Sequence, residues 1–143
     1  MPTRQRLSPA MCRALADALK ARRDGRDPVT ARPATVAALT ARGLAMPDTD
    51  DDAAPPILTR QGVTAAAKLL DPDRPDLQPG DLVVYHGSIE WEHHNEFIVI
   101  RKSARGYQLL GAWDGTRLDQ ARRQSISYTG HQAELPDHLK PED

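Results

Sequence analysis

The chain has 143 residues, of which 39% are hydrophobic, and its 19 Lys/Arg and 20 Asp/Glu give a formal net charge of -1. This length suits one ordinary domain or two small ones. The near-zero charge argues against a protein that coats nucleic acid indiscriminately, because such proteins have a large basic excess. The charge is uneven, however: residues 1–71 hold 11 Lys/Arg against 8 Asp/Glu, whereas the remainder holds 8 against 12. A specific contact through a local basic patch in the first half stays possible.

The sequence shows no sign of membrane insertion or export. No segment approaches the roughly 20 apolar residues of a membrane span, and the N-terminus lacks the apolar core of a signal peptide. The single cysteine, Cys12, cannot form an internal disulfide and lies on a helical pattern, where we expect it to fill core space. We therefore expect a cytoplasmic protein without membrane contacts.

The first half of the sequence has helical periodicity. "LSPAMCRALADALKARRDG" opens with Ser8 as N-cap and Pro9 at the first helical position, which predicts a first helix. "ARPATVAALTARGL" starts with Pro33 and ends at Gly43, and it predicts a second helix. After a polar stretch, "ILTRQGVTAAAKLL" predicts a short strand and a third helix with Thr59 as N-cap.

The second half changes to the alternating period of β-strands. "DPDRPDLQPGD" is rich in Pro and Asp with little to bury, and it predicts a domain boundary. Beyond it, "DLVVYHG", "EFIVIRK", "GYQLLGAW" and "RQSISY" predict short strands that suffice for a small, strongly bent barrel. The predicted fold class is α+β, with a helical domain over residues 1–71, a linker over 72–79, a β-barrel over 80–130 and a flexible tail over 131–143.

Two motifs in the first half carry a family resemblance. They are "L-x-x-R-G-L" at the end of the second helix, here Leu39, Arg42, Gly43 and Leu44, and "L-T-x-x-G" before the third, here Leu58, Thr59 and Gly62. In these motifs residues 7–70 resemble the winged-helix transcription regulators, particularly the MarR-like and PadR-like groups, in which a wing hairpin follows the recognition helix. One departure is that "RDPVTARPA" leaves room for one turn at most of the helix expected before the recognition helix.

This resemblance implies a sequence-specific bacterial transcriptional regulator whose recognition helix, the second helix here, enters the major groove of double-stranded DNA. With Val36 and Leu39 turned inward, side chains able to contact DNA remain on the outer face and just before it. A Thr can meet a thymine methyl group, and an Arg can grip guanine or phosphate. The predicted DNA-binding residues are Thr30, Arg32, Thr35 and Arg42.

The predicted wing is acidic, which is unexpected for a segment close to phosphate. It carries Asp48, Asp50, Asp51 and Asp52, and carboxylates repel phosphates. Three interpretations are open. The loop points away from DNA into solvent, or it competes for the basic face and sharpens specificity, or the fold serves protein contacts.

"PGDLVVYHGS" as a first strand and "WDGTRLDQARRQSISY" as a final hairpin make residues 78–129 look like a Src-homology-3-like small barrel. We expect this barrel to serve dimerisation or partner binding. "EWEHHNE" falls between its first two strands, where Trp91, His93 and His94 form a predicted partner-binding loop. A metal site is the less favoured interpretation, because adjacent histidines of an extended segment point to opposite faces. No metal or cofactor is predicted.

The sequence has no recognisable catalytic motif: there is no nucleophile elbow, phosphate loop or HExxH pattern. We therefore do not expect an enzyme. The alternative to a DNA-binding regulator is a non-enzymatic adaptor, in which the barrel binds a protein or peptide and the winged helix is a scaffold. Salt-dependent binding to random duplex DNA separates the two, because only the regulator predicts it.

Overall fold

The computed structural model describes residues 7–51 and 53–140, and within them it confirms the α+β class. The helices are α1 (Pro9–Lys20), α2 (Pro33–Ala41) and α3 (Arg60–Leu70). A two-stranded hairpin is formed by β1 (Ala45–Met46) and β2 (Ile57–Leu58). A five-stranded antiparallel sheet contains β3 (Asp81–Tyr85), β4 (Glu96–Ser103), β5 (Gly106–Gly111), β6 (Arg117–Ala121) and β7 (Ile126–Gln132).

The predicted helix starts are confirmed at the level of individual hydrogen bonds. The Ser8 hydroxyl accepts from the Met11 backbone N–H at 3.2 Å at the start of α1, and the Thr59 hydroxyl accepts from the Gly62 N–H at 3.0 Å at the start of α3. Pro33 begins α2, whose N-cap makes no side-chain hydrogen bond. These starts depend on local residue chemistry, which is why the sequence predicts them.

Gly62 lets α3 pack against the hairpin. A Cβ atom at this position would lie 2.0 Å from the Leu44 carbonyl oxygen, a separation that no side chain tolerates. The same carbonyl accepts from the Thr59 backbone N–H at 3.1 Å. The glycine of the "L-T-x-x-G" motif therefore serves a close backbone approach rather than an unusual turn.

A third extended segment lies beside the hairpin. Pro28 forms an antiparallel bridge with Ile57, and the Val29 N–H donates to the Pro56 carbonyl at 2.7 Å. Residues 21–32, all of which the structure describes, contain turns and this bridge but no helix. A single helix, α2, thus connects the bridging segment to β1.

The large sheet has the strand order β6-β5-β4-β3-β7. Its register shifts in three places, between β3 and β7, between β4 and β5, and between β5 and β6, and such bulges bend a sheet. The two edge strands, β6 and β7, do not pair, so the described strands form no closed barrel. A 3-10 turn at Arg123–Ser125 separates the two edges and leads the chain to the far side of β3.

The sheet is covered on both faces. On one face Val83, Phe97 and Leu109 pack into a core of the sheet's own residues. On the other, Val84 joins the core that the three helices form around Leu15 and Leu39, and α3 contacts both β3 and β7. The helices and the sheet therefore share buried contacts.

The predicted boundaries fall in segments that touch the sheet. In residues 72–79, Leu77 is buried against the sheet core, and Arg74 pairs with the fully buried Asp81. Beyond residue 130, β7 continues to Gln132, and Leu135 is buried beside Leu82. Residues 141–143 of the predicted tail lie outside the described residues, and the division into domains stays a prediction. None of the described helices has the length and apolarity needed to cross a membrane.

Candidate functional site

Three of the four predicted DNA-binding residues lie together in an open groove of about 540 Å³ between α1 and α2. Thr30, Arg32 and Thr35 form the wall contributed by the start of α2. They lie close together because Arg32 has an extended backbone and leads directly into the helix at Pro33. Arg13 and Asp17 line the opposite wall, on α1. Arg13 is not among the DNA-binding residues predicted from the sequence, although its position between inward-facing residues of the first helix marks it as outward-facing.

The groove is lined by more positive than negative side-chain charge. Within the described part of the chain, the guanidinium groups of Arg13 and Arg32 have neither an ion pair nor a hydrogen bond. Asp17 supplies one opposing charge. The first turn of α2 has no acidic residue and no side-chain cap, so its free N–H groups add partial positive charge at the same place.

Arg42, the fourth predicted DNA-binding residue, does not line this groove. It follows the C-terminus of α2, where its Nη1 lies 3.8 Å from the Sδ atom of Met11 on α1. The side chain is half-buried. The structure thus separates Arg42 from Thr30, Arg32 and Thr35 and gives it a packing contact with the first helix.

The described carboxylates of the acidic loop between β1 and β2 have partners, which are backbone N–H groups of the loop and the side chain of Arg26. Asp48 is buried, accepts from the Asp50 N–H at 3.0 Å, and lies 3.7 Å from Nε of Arg26. Asp50 forms an ion pair with the same Arg26. Asp51 accepts from the Ala53 N–H at 2.9 Å, while Asp52 lies outside the described residues. One arginine therefore pairs with two of these carboxylates, of which Asp48 is buried and Asp50 is exposed.

The three predicted partner-binding residues have different environments. Trp91 lies in a 3-10 turn and is 82% exposed. His93 donates from Nε2 to the Gly87 carbonyl, inside its own loop. His94 points to α3, where its Nδ1 lies 2.7 Å from the Thr64 hydroxyl. Only Trp91 is freely presented to solvent, whereas the two histidines hold the loop in place.

His94 also lines a second cleft, of about 280 Å³, at the junction of the helices and the sheet. Arg22 links the helical part of the chain to the sheet at this junction. It donates to Asp27 at 2.8 and 3.2 Å and to Glu96 of β4 at 2.5 and 3.3 Å. Burial alone would lower the pKa of Arg22, but the hydrogen bonds to both carboxylates outweigh burial and raise that pKa above its ordinary value. Arg22 is therefore a permanent charge that ties both carboxylates together.

His131 and His86 also form hydrogen bonds within the protein. Nε2 of His131, on β7, donates to the Leu19 carbonyl at 2.5 Å, near the C-terminus of α1. Nε2 of His86 lies 2.8 Å from the Ser127 hydroxyl, and burial, followed by the nearby Lys68, lowers the pKa of His86.

Among the described residues, no three potential metal ligands lie together. Comparison with family models, curated proteins and solved structures finds no match to this chain.

Proposed function

We propose that this protein binds double-stranded DNA as a transcriptional regulator and that the groove between α1 and α2 faces the duplex. The observation that carries the proposal is the convergence of Arg13 and Arg32, both without a partner in the described chain, with Thr30 and Thr35. Unpaired guanidinium groups at an open surface are suited to phosphate. The threonine side chains beside them can contact base edges or phosphate oxygens.

The order of elements in the first half supports a winged-helix interpretation. Helix α1, the bridging segment at Pro28, helix α2, the β1–β2 hairpin and helix α3 follow one another as such a fold requires, except that one helix stands where two are expected. In this interpretation α2 is the recognition helix. Because its sequence "PATVAALTA" holds no charged residue, affinity comes mainly from the arginines at its edge, and direct base reading is modest.

The acidic hairpin loop is compatible with this arrangement because its charge is partly neutralised. Arg26 holds both Asp48 and Asp50, which reduces the repulsion that these carboxylates exert on a nearby phosphate. Asp48 is also buried and serves the turn through the Asp50 N–H. The carboxylates thus have a structural role that does not require a protein partner.

The test is duplex binding by the double variant Arg13→Ala, Arg32→Ala, measured by fluorescence anisotropy over a series of salt concentrations. Removing two phosphate contacts should weaken binding to all sequences and reduce the slope of log affinity against log salt by about 2. The matched control is Arg105→Ala, which removes an exposed, unpaired arginine from the β4–β5 turn. If both variants bind as the parent does at every salt concentration, the groove is not the DNA site.

The second candidate is a non-enzymatic adaptor, and the exposure of Trp91 favours it. In the sheet, β3 lies between β4 and the last strand, β7, and a 3-10 turn precedes β7, an arrangement similar to a Src-homology-3-like barrel that is left open. A tryptophan 82% exposed on the loop between β3 and β4 suits an aromatic anchor for a protein partner. Absence of duplex binding even at low salt would favour this candidate over the regulator.

A further inference from the structure

The junction cleft presents an aromatic face that the DNA-binding proposal does not use. Trp113, in the turn between β5 and β6, lines the cleft and is 77% exposed. The turn is held in place, since the Gly111 N–H donates to the Thr116 carbonyl at 2.6 Å and the Thr116 N–H donates to Asp114 at 3.0 Å. A smaller cavity of about 110 Å³ shares Arg60, Glu96 and Trp113 with this cleft. The exposed indole therefore offers a stacking surface beside the cleft, on a turn whose backbone is held in place.

The hydrogen bonds around His94 favour one tautomer of its ring, with the proton on Nδ1. The Thr64 hydroxyl donates its only hydrogen to the Arg60 carbonyl at 3.2 Å. With that hydrogen engaged, we assign the Thr64 oxygen as the acceptor of Nδ1–H of His94, which lies 2.7 Å away. In the neutral ring this leaves Nε2 as a hydrogen-bond acceptor.

Nε2 of His94 is available to a ligand. It makes no hydrogen bond among the described residues, and no buried side-chain nitrogen or oxygen there lacks a partner, so this atom reaches solvent. His94 also has a left-handed backbone, with φ of +68°, which is uncommon for a residue other than glycine. The His94 N–H donates to the Tyr85 carbonyl at 2.9 Å and helps to hold the strained residue, and strain of this kind concentrates at binding sites.

The other polar groups of the cleft narrow the class of ligand. Arg22 occupies the carboxylates of Asp27 and Glu96, so neither is free to attract a cation. Arg60 donates one N–H to the side-chain oxygen of Asn95 at 2.7 Å, and its other N–H groups can donate to a ligand. The cleft therefore offers a π face, one acceptor nitrogen and a few donors. Its volume of about 280 Å³ falls below that of sites for drug-sized ligands.

We propose that the junction cleft binds a nucleobase, which stacks on Trp113 and donates an N–H to Nε2 of His94. A nucleobase is planar, carries both donors and acceptors at its edge, and has the size of one or two rings. The base can come from a free nucleoside or from an unpaired position in a strand. Bases stacked within a duplex are not available to such a site, so the proposal is independent of the groove between α1 and α2.

The experiment uses the full chain with Trp91→Phe, which leaves Trp113 as the sole tryptophan of the two in the sequence. Its fluorescence is followed during titration with adenosine, guanosine, cytidine and uridine, and with short single-stranded homo-oligomers of each base. We expect saturable quenching by at least one nucleoside. Saturation by oligomers alone would assign the site to an unpaired base of a strand, and no saturation by either class overturns the proposal.

Two comparisons test the contact with His94, and adenosine serves as the example. Purine riboside lacks the amino group of adenosine without adding bulk, and it should bind about three- to tenfold more weakly if that group is the donor. His94→Asn keeps a side chain that tolerates the left-handed backbone and can donate to Thr64, but it lacks Nε2 and should weaken nucleoside binding by a similar factor. The matched control His138→Asn changes an exposed histidine of another turn and should bind as the parent does.

Equal affinity in the His94 and His138 variants would refute the role of His94. Circular dichroism establishes that each variant is folded. Should His94→Asn be unfolded, Trp113→Leu, which changes an exposed side chain, tests the stacking contact by calorimetry. Nucleoside binding unchanged in that variant would also overturn the proposal.

Discussion

The groove between α1 and α2 and the junction cleft use the same residue type in opposite ways. In the groove, Arg32 is exposed and, within the described chain, has no partner. At the junction, Arg22 has a side chain only 16% exposed and is saturated by Asp27 and Glu96. The two arginines stand ten positions apart in one basic segment. What separates their roles is a pair of carboxylates around Arg22, Asp27 five residues away and Glu96 74 residues away along the chain, so local sequence and long-range packing together decide which arginines remain free for a ligand.

The two regions also differ in how their polar groups are fixed. The groove walls come from α1, α2 and the residues just before α2, and its two arginines have no partner within the described chain. The junction cleft is bounded by side chains that already bond to one another, as His94 does to Thr64 and Arg60 to Asn95. A cationic surface whose side chains are unpaired suits phosphates in many registers, whereas a set of donors and acceptors held by hydrogen bonds suits one small ligand.

The largest effect is expected from Arg22→Ala, which leaves Asp27 and Glu96 next to each other without their shared cation. Removing one partner from a mostly buried charge network typically costs about 3 kcal/mol of unfolding free energy. Urea denaturation followed by circular dichroism measures this loss. The matched change Arg32→Ala, at an exposed and unpaired residue, should alter stability by no more than about 0.5 kcal/mol.

The triple variant Arg22→Met, Asp27→Asn, Glu96→Gln checks the reason for that loss. It removes the buried charges together, so we expect it to recover much of the stability that Arg22→Ala loses. If Arg22→Ala and Arg32→Ala were equally mild, the distinction between a structural and a free arginine would be wrong.

The sequence predicts those features that depend on near neighbours. Ser8 and Thr59 cap their helices as predicted because each cap hydroxyl accepts from a backbone N–H only three residues ahead. The strand segments are likewise recognisable, since alternation along a strand reflects burial on one face. The outward position of Thr35 on its helix follows from the same periodicity.

The remaining features depend on contacts that a single sequence does not reveal. Local chemistry gives no sign that Glu96 would bind Arg22, or that Trp113 would stand beside His94 in one cleft. The four Asp of the hairpin look like a free acidic patch, yet Asp48 is buried against Arg26. The number of strands predicts a barrel, but a barrel closes only where its two edge strands pair. The edge strands β6 and β7 do not pair.

A smaller effect is expected in the acidic loop, where Asp48 resembles the junction carboxylates and Asp51 resembles the exposed groove residues. Each accepts a backbone N–H two residues ahead, but only Asp48 is buried and next to Arg26. Asp48→Ala should therefore cost about 1–2 kcal/mol, and Asp51→Ala no more than about 0.5 kcal/mol. Thermal denaturation of both variants measures the difference. A larger loss for Asp51→Ala would mean that the loop is held by other contacts.

The smallest effect is expected in the pH dependence of stability, because the described residues that line the junction cleft include a histidine and those that line the groove between α1 and α2 do not. Burial, followed by the neighbouring charges of His93, Arg60 and Lys68, lowers the pKa of His94 from its ordinary value of 6.5. Glu96 and Arg22, which also line the cleft, are engaged with each other. As pH falls, the unfolded chain therefore takes up a proton at this histidine before the folded chain does. The contribution of His94 to the free energy of unfolding decreases as pH drops below 6.5, and it becomes constant below the pKa of the folded state.

We expect the stability of the parent to depend more steeply on pH than that of His94→Asn between about pH 5 and 8, as urea denaturation at several pH values will measure. His86, whose pKa is also lowered by burial and by Lys68, contributes with the same sign in both proteins and cancels in the comparison. The groove is lined by Arg13, Asp17 and Arg32 but by no histidine, so duplex binding should change little over the same range while nucleoside binding weakens at the acid end. Equal pH dependence of stability in the parent and the variant would mean that the environment of His94 does not shift its titration. The junction cleft and the groove between α1 and α2 would then not differ in this electrostatic property.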